Sequence, residues 1–405
     1  MLNRLSILLC IISLVSCTNS DGNKEYGNLL GGMGRNNSFE YIEGFQYQIY
    51  SEILIDTNFG ATCPPLLLSN NKTILASDSN TIISIFSNEK DWTFSLDSGS
   101  IIGAGFVSDA NNNIYTIDNK GYTISLTQDG KLRFKEQFLT PHRLEFFNLP
   151  LYTENNIIFT TSDGNIVGLD TNGNENFSLS YDTDIIGEVS ALSKKDLLVT
   201  LTNGTFGKTD TLVCLDNNGN EKWRFSSKGY RFLKGAITNG KNIAICGTKQ
   251  VGDNKLSKLF YLDSEGSLLW NKEISSLPRF LSMSNNGELF VITFDSGFRK
   301  MLSGVFSYAS EGELNWSIYY DYSIPTPAMI SGNEIAFLAS NRETYGLFFL
   351  NRADGVLIHS LDIGEAAPLD FLPAIGDEGT LNFAGKQHLR LIRIDETAIN
   401  KILPY

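Results

Sequence analysis

Between residues 126 and 358 one short pattern recurs six times: a β-rich run ends in Leu-Asp or a close variant, a glycine follows, and a large apolar residue stands about four positions beyond it. The copies are Leu126-Thr127-Gln128-Asp129-Gly130 with Phe134, Leu169-Asp170-Thr171-Asn172-Gly173 with Phe177, and Leu215-Asp216-Asn217-Asn218-Gly219 with Trp223. They continue with Leu262-Asp263-Ser264-Glu265-Gly266 and Trp270, Tyr308-Ala309-Ser310-Glu311-Gly312 and Trp316, and Leu350-Asn351-Arg352-Ala353-Asp354-Gly355 and Ile358. Each part has a local reason. An Asp opening a turn accepts hydrogen bonds from backbone two or more residues on, and glycine takes the positive-φ position that closes it. Successive glycines lie 43 to 47 residues apart. A period of that size, filled with short strands and turns, is the mark of propeller blades.

A second signature precedes each turn. In Leu149-Pro150-Leu151-Tyr152, then Ile157–Thr160, then Asp163-Gly164, then Ile166–Leu169, three strands follow in order. Equivalent passages begin at Pro64, Phe106, Pro327 and Leu372. The strand after the turn completes a four-stranded blade. Its aromatic (Trp92, Phe134, Phe177, Trp223, Trp270 and Trp316, with Ile358 in the seventh place) is expected to wedge between neighbouring blades. The last passage supplies three strands and the chain then stops, whereas an orphan strand at 45–55 precedes the first blade. The expected fold is therefore all-β: an eight-bladed β-propeller of four-stranded antiparallel blades over 45–396. The N-terminal strand joins the C-terminal blade so that no sheet edge stays open, and 397–405 form a tail.

The chain opens on Arg4 and a short apolar run ending in Leu14-Val15-Ser16-Cys17. This reads as a signal peptide over 1–16, too short to span a bilayer, with a lipobox that makes Cys17 an acylated N-terminus. Several acyl chains anchor durably. The segment 17–44, rich in Gly, Asn and Ser, then reads as a lipidated flexible tether. Export with the outer membrane as destination is the expectation. The later cysteines Cys63, Cys214 and Cys246 form no CxxC or adjacent pair, and two of them sit in apolar strands, so buried thiols are expected.

Net charge is -13, with no Lys/Arg-rich run. Nucleic acid is excluded as a partner on that ground. Asp109-Ala110-Asn111-Asn112-Asn113 alternates oxygens like a calcium loop, but Ile114 and Lys120 stand where such a loop needs Gly and Glu, so it reads as a turn. His142, His359 and His388 are far apart, and no nucleophile motif accompanies them. No metal, cofactor or catalytic residue is expected. Insertions at 203–210, 248–255 and 295–300 lengthen the same hairpin in three successive blades. They form a candidate partner rim with Phe206, Lys208, Lys249, Lys255, Phe298 and Arg299.

The Pro-strand-turn-strand-Asp-Gly-strand-Leu-Asp-x-x-Gly-aromatic unit resembles the pyrroloquinoline-quinone-like propeller repeat over roughly residues 34–396, and Gly34-Arg35-Asn36-Asn37-Ser38 resembles the segment that often precedes such propellers. With the lipobox, the whole is similar in architecture to the BamB lipoproteins. That resemblance implies a non-catalytic, monomeric scaffold that binds an envelope protein. The same repeats occur in quinone-dependent dehydrogenases, so a dehydrogenase-like or carbohydrate-binding use of the central funnel is the alternative. The adjacent cysteines frequent in the alcohol enzymes, and any motif for a base or calcium ligand, are absent from this sequence.

Overall fold

In the computed structural model, residues 58–139, 149–154, 156–203, 208–252, 254–297, 300–340 and 345–364 are described, together with the strands Leu14–Val15, Ser38–Tyr41, Ile49–Asp56, Ala374–Ile375, Leu381–Ala384 and Leu389–Ile394. All regular structure among them is β, gathered into eight hydrogen-bonded sheets, most of them four-stranded and antiparallel. Within most sheets, consecutive strands of the chain follow one another from edge to edge, as in Leu66–Leu67, Thr73–Ser77, Thr81–Phe86 and Glu89–Ser95.

The burial of the strands follows from how the sheets stack. Middle strands such as Thr73–Ser77, Ile114–Asp118 and Glu334–Ser340 are buried along their whole length, because both faces meet a neighbouring sheet. They accordingly read as continuous apolar or small-residue runs. Fourth strands such as Glu89–Ser95 and Glu221–Ser226 keep one face in solvent and alternate. The apolar core is therefore divided among the seams: one cluster joins Leu66, Ile74 and Ile82 to Ile102, Phe106 and Ile124 of the next sheet. Another joins Ala244, Leu259 and Tyr261 to Leu281, Val291 and Phe306.

An early strand and a late strand pair. Ile49–Asp56 pairs antiparallel with Leu389–Ile394 at the edge of the sheet that holds Leu381–Ala384 and Ala374–Ile375. Across the seam, Ala384 packs in one cluster with Ala61, Leu75, Ile83 and Ile85 of the first complete sheet, and Ile55 packs against it. Within the segment read as tether, Ser38–Tyr41 runs parallel to the inner strand Met329–Ser331, and Leu14–Val15 pairs with Ser38–Tyr41 in turn.

The turns obey the chemistry read from the repeat. Asp216 accepts backbone N–H bonds from Asn218 and Asn220 at 2.8 Å each, and Gly219, at φ 81°, donates to the Asp216 carbonyl at 3.0 Å. Asp170 and Asp263 do the same. Past each of these turns the fourth strand carries a one-residue bulge, for example between Cys214 and Leu215, which leaves Lys222 unpaired in the ladder. Where the bulged side chain is polar it reaches back to its own sheet: Lys222 to Asp196 at 3.0 Å, Asn176 to Asn156 at 2.6 Å, and Arg133 to Ser125 at 2.9 Å. In the seventh unit the turn is one residue longer, so Ile358 occupies the bulge. His359, paired opposite Phe349, stands where the other units have their aromatic. The sequence reading placed Ile358 there, eight residues past Leu350 as in the other units, whereas the extra residue before Gly355 moves the position four past the glycine to His359.

Candidate interaction rim

The strand order gives each sheet two ends. One carries the Asp-x-x-Gly turns, and the other carries the hairpin between the second and third strands. At the turn end, each outer aromatic lies on the glycine of the next sheet. A Cβ added at Gly130 would fall 2.6 Å from Trp92, one at Gly173 3.0 Å from Phe134, and one at Gly219 3.0 Å from Phe177. The series continues with Gly266 and Trp223 at 2.6 Å, Gly312 and Trp270 at 2.8 Å, and Gly355 and Trp316 at 2.6 Å. Each indole also donates to a carbonyl of the turn it covers: Trp92 to Gln128 at 2.9 Å, Trp223 to Ser264 at 3.1 Å, Trp270 to Ser310 at 2.7 Å and Trp316 to Arg352 at 2.8 Å. Glycine is required at these positions both for its φ and for the flat ring above it.

The hairpin end is not uniform. Thr73–Ser77 with Thr81–Phe86 and Ile114–Asp118 with Tyr122–Leu126 are short, but Asn242–Val251 with Asn254–Asp263 has ten residues a side. In the next sheet, Leu289–Gly297 with Lys300–Tyr308 has nine a side. The extra length is the insertion noted at 248–255 and 295–300, now extended as regular ladder beyond the body of the sheet. At the end of the insertion at 203–210, of which 204–207 lie outside the described residues, buried Asp210 accepts from Thr202 Oγ1 at 3.0 Å and from the Phe232 N–H at 2.8 Å.

Of the candidate rim residues, Lys208 and Lys255 are exposed and Lys249 is half-buried; Phe206, Phe298 and Arg299 lie outside the described residues, as does Cys17. The link between Lys208 and Lys249 is the segment entering the following sheet. The Gly229 N–H donates to Thr209 Oγ1 at 2.9 Å and the Asp210 N–H to the Tyr230 carbonyl at 3.1 Å. A Cβ at Gly229 would in turn lie 3.1 Å from Lys249 Cε. Lys249 and Lys258 hold their ammonium groups 5.8 and 5.3 Å from the centre of the Tyr230 ring. Tyr230, Lys228 and Lys258 went unnoticed in the sequence because the first two fall in a connector with no repeat signature, and the third sits in a strand that looks like any other.

Farther in, Lys234, in the bend after Arg231–Phe232, lies 4.3 Å from the centre of the Phe280 ring, with the guanidinium of Arg279, on Leu277–Met283, 5.3 Å from the same ring. Burial pulls Lys234 below the usual lysine value; Glu188 opposes that shift and Arg279 adds to it. Elsewhere, burial pushes the thiols of Cys63, Cys214 and Cys246 up to about 12, and all three are free. Thiols held that high are inert as nucleophiles near neutrality. Among the described residues no group of three or more His, Cys, Asp or Glu side chains is placed to hold a metal ion, and Asp109 is spent on Asn111, Asn113 and Tyr115.

Sheets stacked face to face in chain order, with their seams closed by a repeated contact, define a β-propeller. Solved structures agree. BamB from Moraxella catarrhalis superposes with a TM-score of 0.63 at 18% identity, covering 87% of this chain and 98% of that one. The Dos1 propeller gives 0.64 at 12% identity over 86% and 95%. Sqt1 from Saccharomyces cerevisiae gives 0.63 at 11% identity over 86% and 99%. No protein-family model matches the chain, and no curated protein matches it. At these identities the likeness is one of fold.

Proposed function

We propose that this protein is a non-catalytic interaction scaffold of the cell envelope: an eight-bladed propeller, anchored through acylated Cys17, that engages another envelope protein through its long hairpins. The observation that carries this reading is the pair of consecutive hairpins, Asn242–Asp263 and Leu289–Tyr308, standing beyond the body of an otherwise regular stack. A rigid stack that spends extra chain on one rim alone presents a surface, since hairpin length adds nothing to the seams. The pairing of Ile49–Asp56 with Leu389–Ile394 and the cluster across the first seam support an eight-blade count with the ring closed by the N-terminal strand. Closure leaves only the short outer edge strands of the sheets, such as Glu89–Ser95 and Glu221–Ser226, which favours a monomer. The lipobox at Leu14–Cys17 and the Gly- and Asn-rich stretch behind it support export, with the outer membrane as the destination.

Mild crosslinking in envelope membranes, followed by affinity capture of the full-length protein, is expected to recover one defined partner. Recovery of none would sink the scaffold reading. Radiolabelled palmitate should enter the wild-type protein and not Cys17→Ala. Closure is tested separately: removing residues 38–56 should cost far more thermal stability than removing 18–33. Equal melting of the two truncations would overturn the eight-blade ring.

A further inference from the structure

We infer that the turn end of the fifth, sixth and seventh sheets binds a cationic amphipathic helix of a partner protein, laid across their outer strands. The surface stands at the opposite end of the sheets from the long hairpins, so the inference goes beyond the scaffold reading above.

The first ground is a change of residue type at one place in the repeat. The outer strands of these sheets, Leu268–Ile274, Leu314–Tyr320 and Leu357–Gly364, each open on a leucine in the same register: Leu268 opposite Leu262, Leu314 opposite Tyr308, and Leu357 opposite Leu350. The first, third and fourth sheets hold Lys90, Glu175 and Glu221 there. The second holds Leu132, with Lys131 and Arg133 beside it. The ladder therefore does not require an apolar residue at this position. Yet Leu268, Leu269, Leu314, Val356, Leu357 and Ile358 each keep 44 to 59% of their surface in solvent.

The second ground is continuity. The ring-on-glycine contacts bring these side chains into one stripe. Gly312, two residues before Leu314, lies against Trp270, which follows Leu269 in the chain. Gly355, next to Val356, lies against Trp316, two residues beyond Leu314. A leucine exposed singly needs no partner, but apolar side chains gathered over adjoining sheets mark a surface that another molecule covers.

The third ground names the occupant. The stripe runs across the strands, so an extended chain paired to one outer edge would meet the leucine of a single sheet. Sheets packed face to face lie about 10 Å apart, and three of them span at least about 20 Å. A helix of about 14 residues has that length. Acidic side chains border the stripe. The residue before the turn glycine is Glu265, Glu311 and Asp354 in these sheets, against Asn172 and Asn218 in the third and fourth, and Glu313 adds a further carboxylate. All four carboxylates are exposed. Glu265 is also within electrostatic reach of Lys222. Of the cations in the same stretches, Arg352 is held by Glu288 at 2.6 Å, and Lys272 lies four residues beyond Leu268 on its strand. An apolar face edged with carboxylates fits a helix that carries leucine-like side chains on one face and Lys or Arg beside them. The same edge repels an anionic bilayer.

The test uses the full-length protein and a fluorescein-labelled helical peptide of about 18 residues, leucine on one face and lysine on the other, read by anisotropy. Binding is expected, at least tenfold weaker in Leu268→Ser/Leu314→Ser/Leu357→Ser and about fivefold weaker in Glu311→Lys/Glu313→Lys. The same peptide with glutamate in place of lysine is not bound. The substituted residues are exposed, so each variant keeps the melting temperature of the wild type. Equal binding by wild type and the leucine variant, or none by either, overturns the inference, and so does equal binding of the glutamate peptide. Self-association of the wild type, or its binding to phosphatidylglycerol vesicles, overturns it too if the leucine variant loses that property while still binding the peptide. Crosslinking that recovers no partner while the peptide binds would remove the scaffold reading and leave this one standing.

Discussion

At the turn end of the sheets one contact is copied from seam to seam, while at the hairpin end length changes along the series, from short in the first two sheets to long in the fifth and sixth. Trp223 on Gly266 and Trp270 on Gly312 are the same ring-on-glycine arrangement with the same indole bond to a turn carbonyl. Across the molecule from them, a short hairpin such as Ile114–Leu126 and the long Asn242–Asp263 share only their ladder. The contrast separates two uses of sequence. Where every unit must seat the next, the residues are constrained alike and the pattern repeats. Where a unit meets something other than its neighbour, length and charge drift apart.

The strongest way to break that contrast is to remove a ring. Trp270→Ala should cost about 4 kcal/mol, in the range for deleting a large packed aromatic, since the half-buried indole stacks on Tyr261 at 4.7 Å and bonds to Ser310. Urea denaturation reads this directly, and a loss under about 1 kcal/mol would mean that the seam does not depend on it. Gly266→Ala should follow at about 3 kcal/mol, combining a left-handed backbone with displacement of the Trp223 ring. The hairpin-tip Gly252, at φ 58° with open space around it, offers the matched control. Gly252→Ala should cost about 1 kcal/mol, from backbone strain alone. Similar losses at the two glycines would erase the distinction between the ends.

Smaller effects sharpen it. Replacing residues 249–255 by a two-residue Asn-Gly turn should move the melting temperature by less than about 4 °C, equivalent to under about 1 kcal/mol, yet abolish recovery of the crosslinked partner. The smallest effect is a pH dependence at the turn end. The Asn220 amide, with backbone N–H groups of Asn220 and Asn218 behind it, holds the Asp216 carboxyl below the usual aspartate value against the opposing effect of burial. A carboxyl lowered in the folded state stabilises above its unfolded value near about 3.9, and the gain fades as pH falls through the folded value. Thermal melts between pH 7 and pH 3 should therefore fall slightly less steeply for Asp216→Asn than for the wild type. Parallel slopes would show that the turn owes nothing to the charge.

Much of the fold could be read before any coordinates, because its determinants are local. Asp170, Asp216 and Asp263 each bond to backbone within four residues, so five consecutive letters identify the turn. The bulge after the turn is also local but has no letter of its own: Asp91, Lys222, Leu269 and Ile358 fill it alike. The seventh unit was misaligned by one residue because its turn, from Leu350 to Gly355, is one residue longer than the others. The rim was half legible. Insertion lengths pointed to Lys249 and Lys255, but the cations facing them come from connectors whose neighbours are set by stacking. Nothing along the chain relates Lys258 to Tyr230, or Lys234 to Phe280.

The rings and their glycines also define what could be exchanged between such proteins. Each ring precedes the glycine it covers by 38 to 43 residues. A cassette cut at sheet boundaries would strand a ring at one junction and a bare glycine at the other. A cassette cut between a turn glycine and the aromatic four residues later keeps every pair intact, at the cost of dividing each sheet between its third and fourth strands. One sheet already follows that staggered grammar: Ile49–Asp56 is its outer strand, and its other three, ending beside it in Leu389–Ile394, come more than 300 residues later. Duplicated in this frame, a cassette lengthens the series without orphaning a contact.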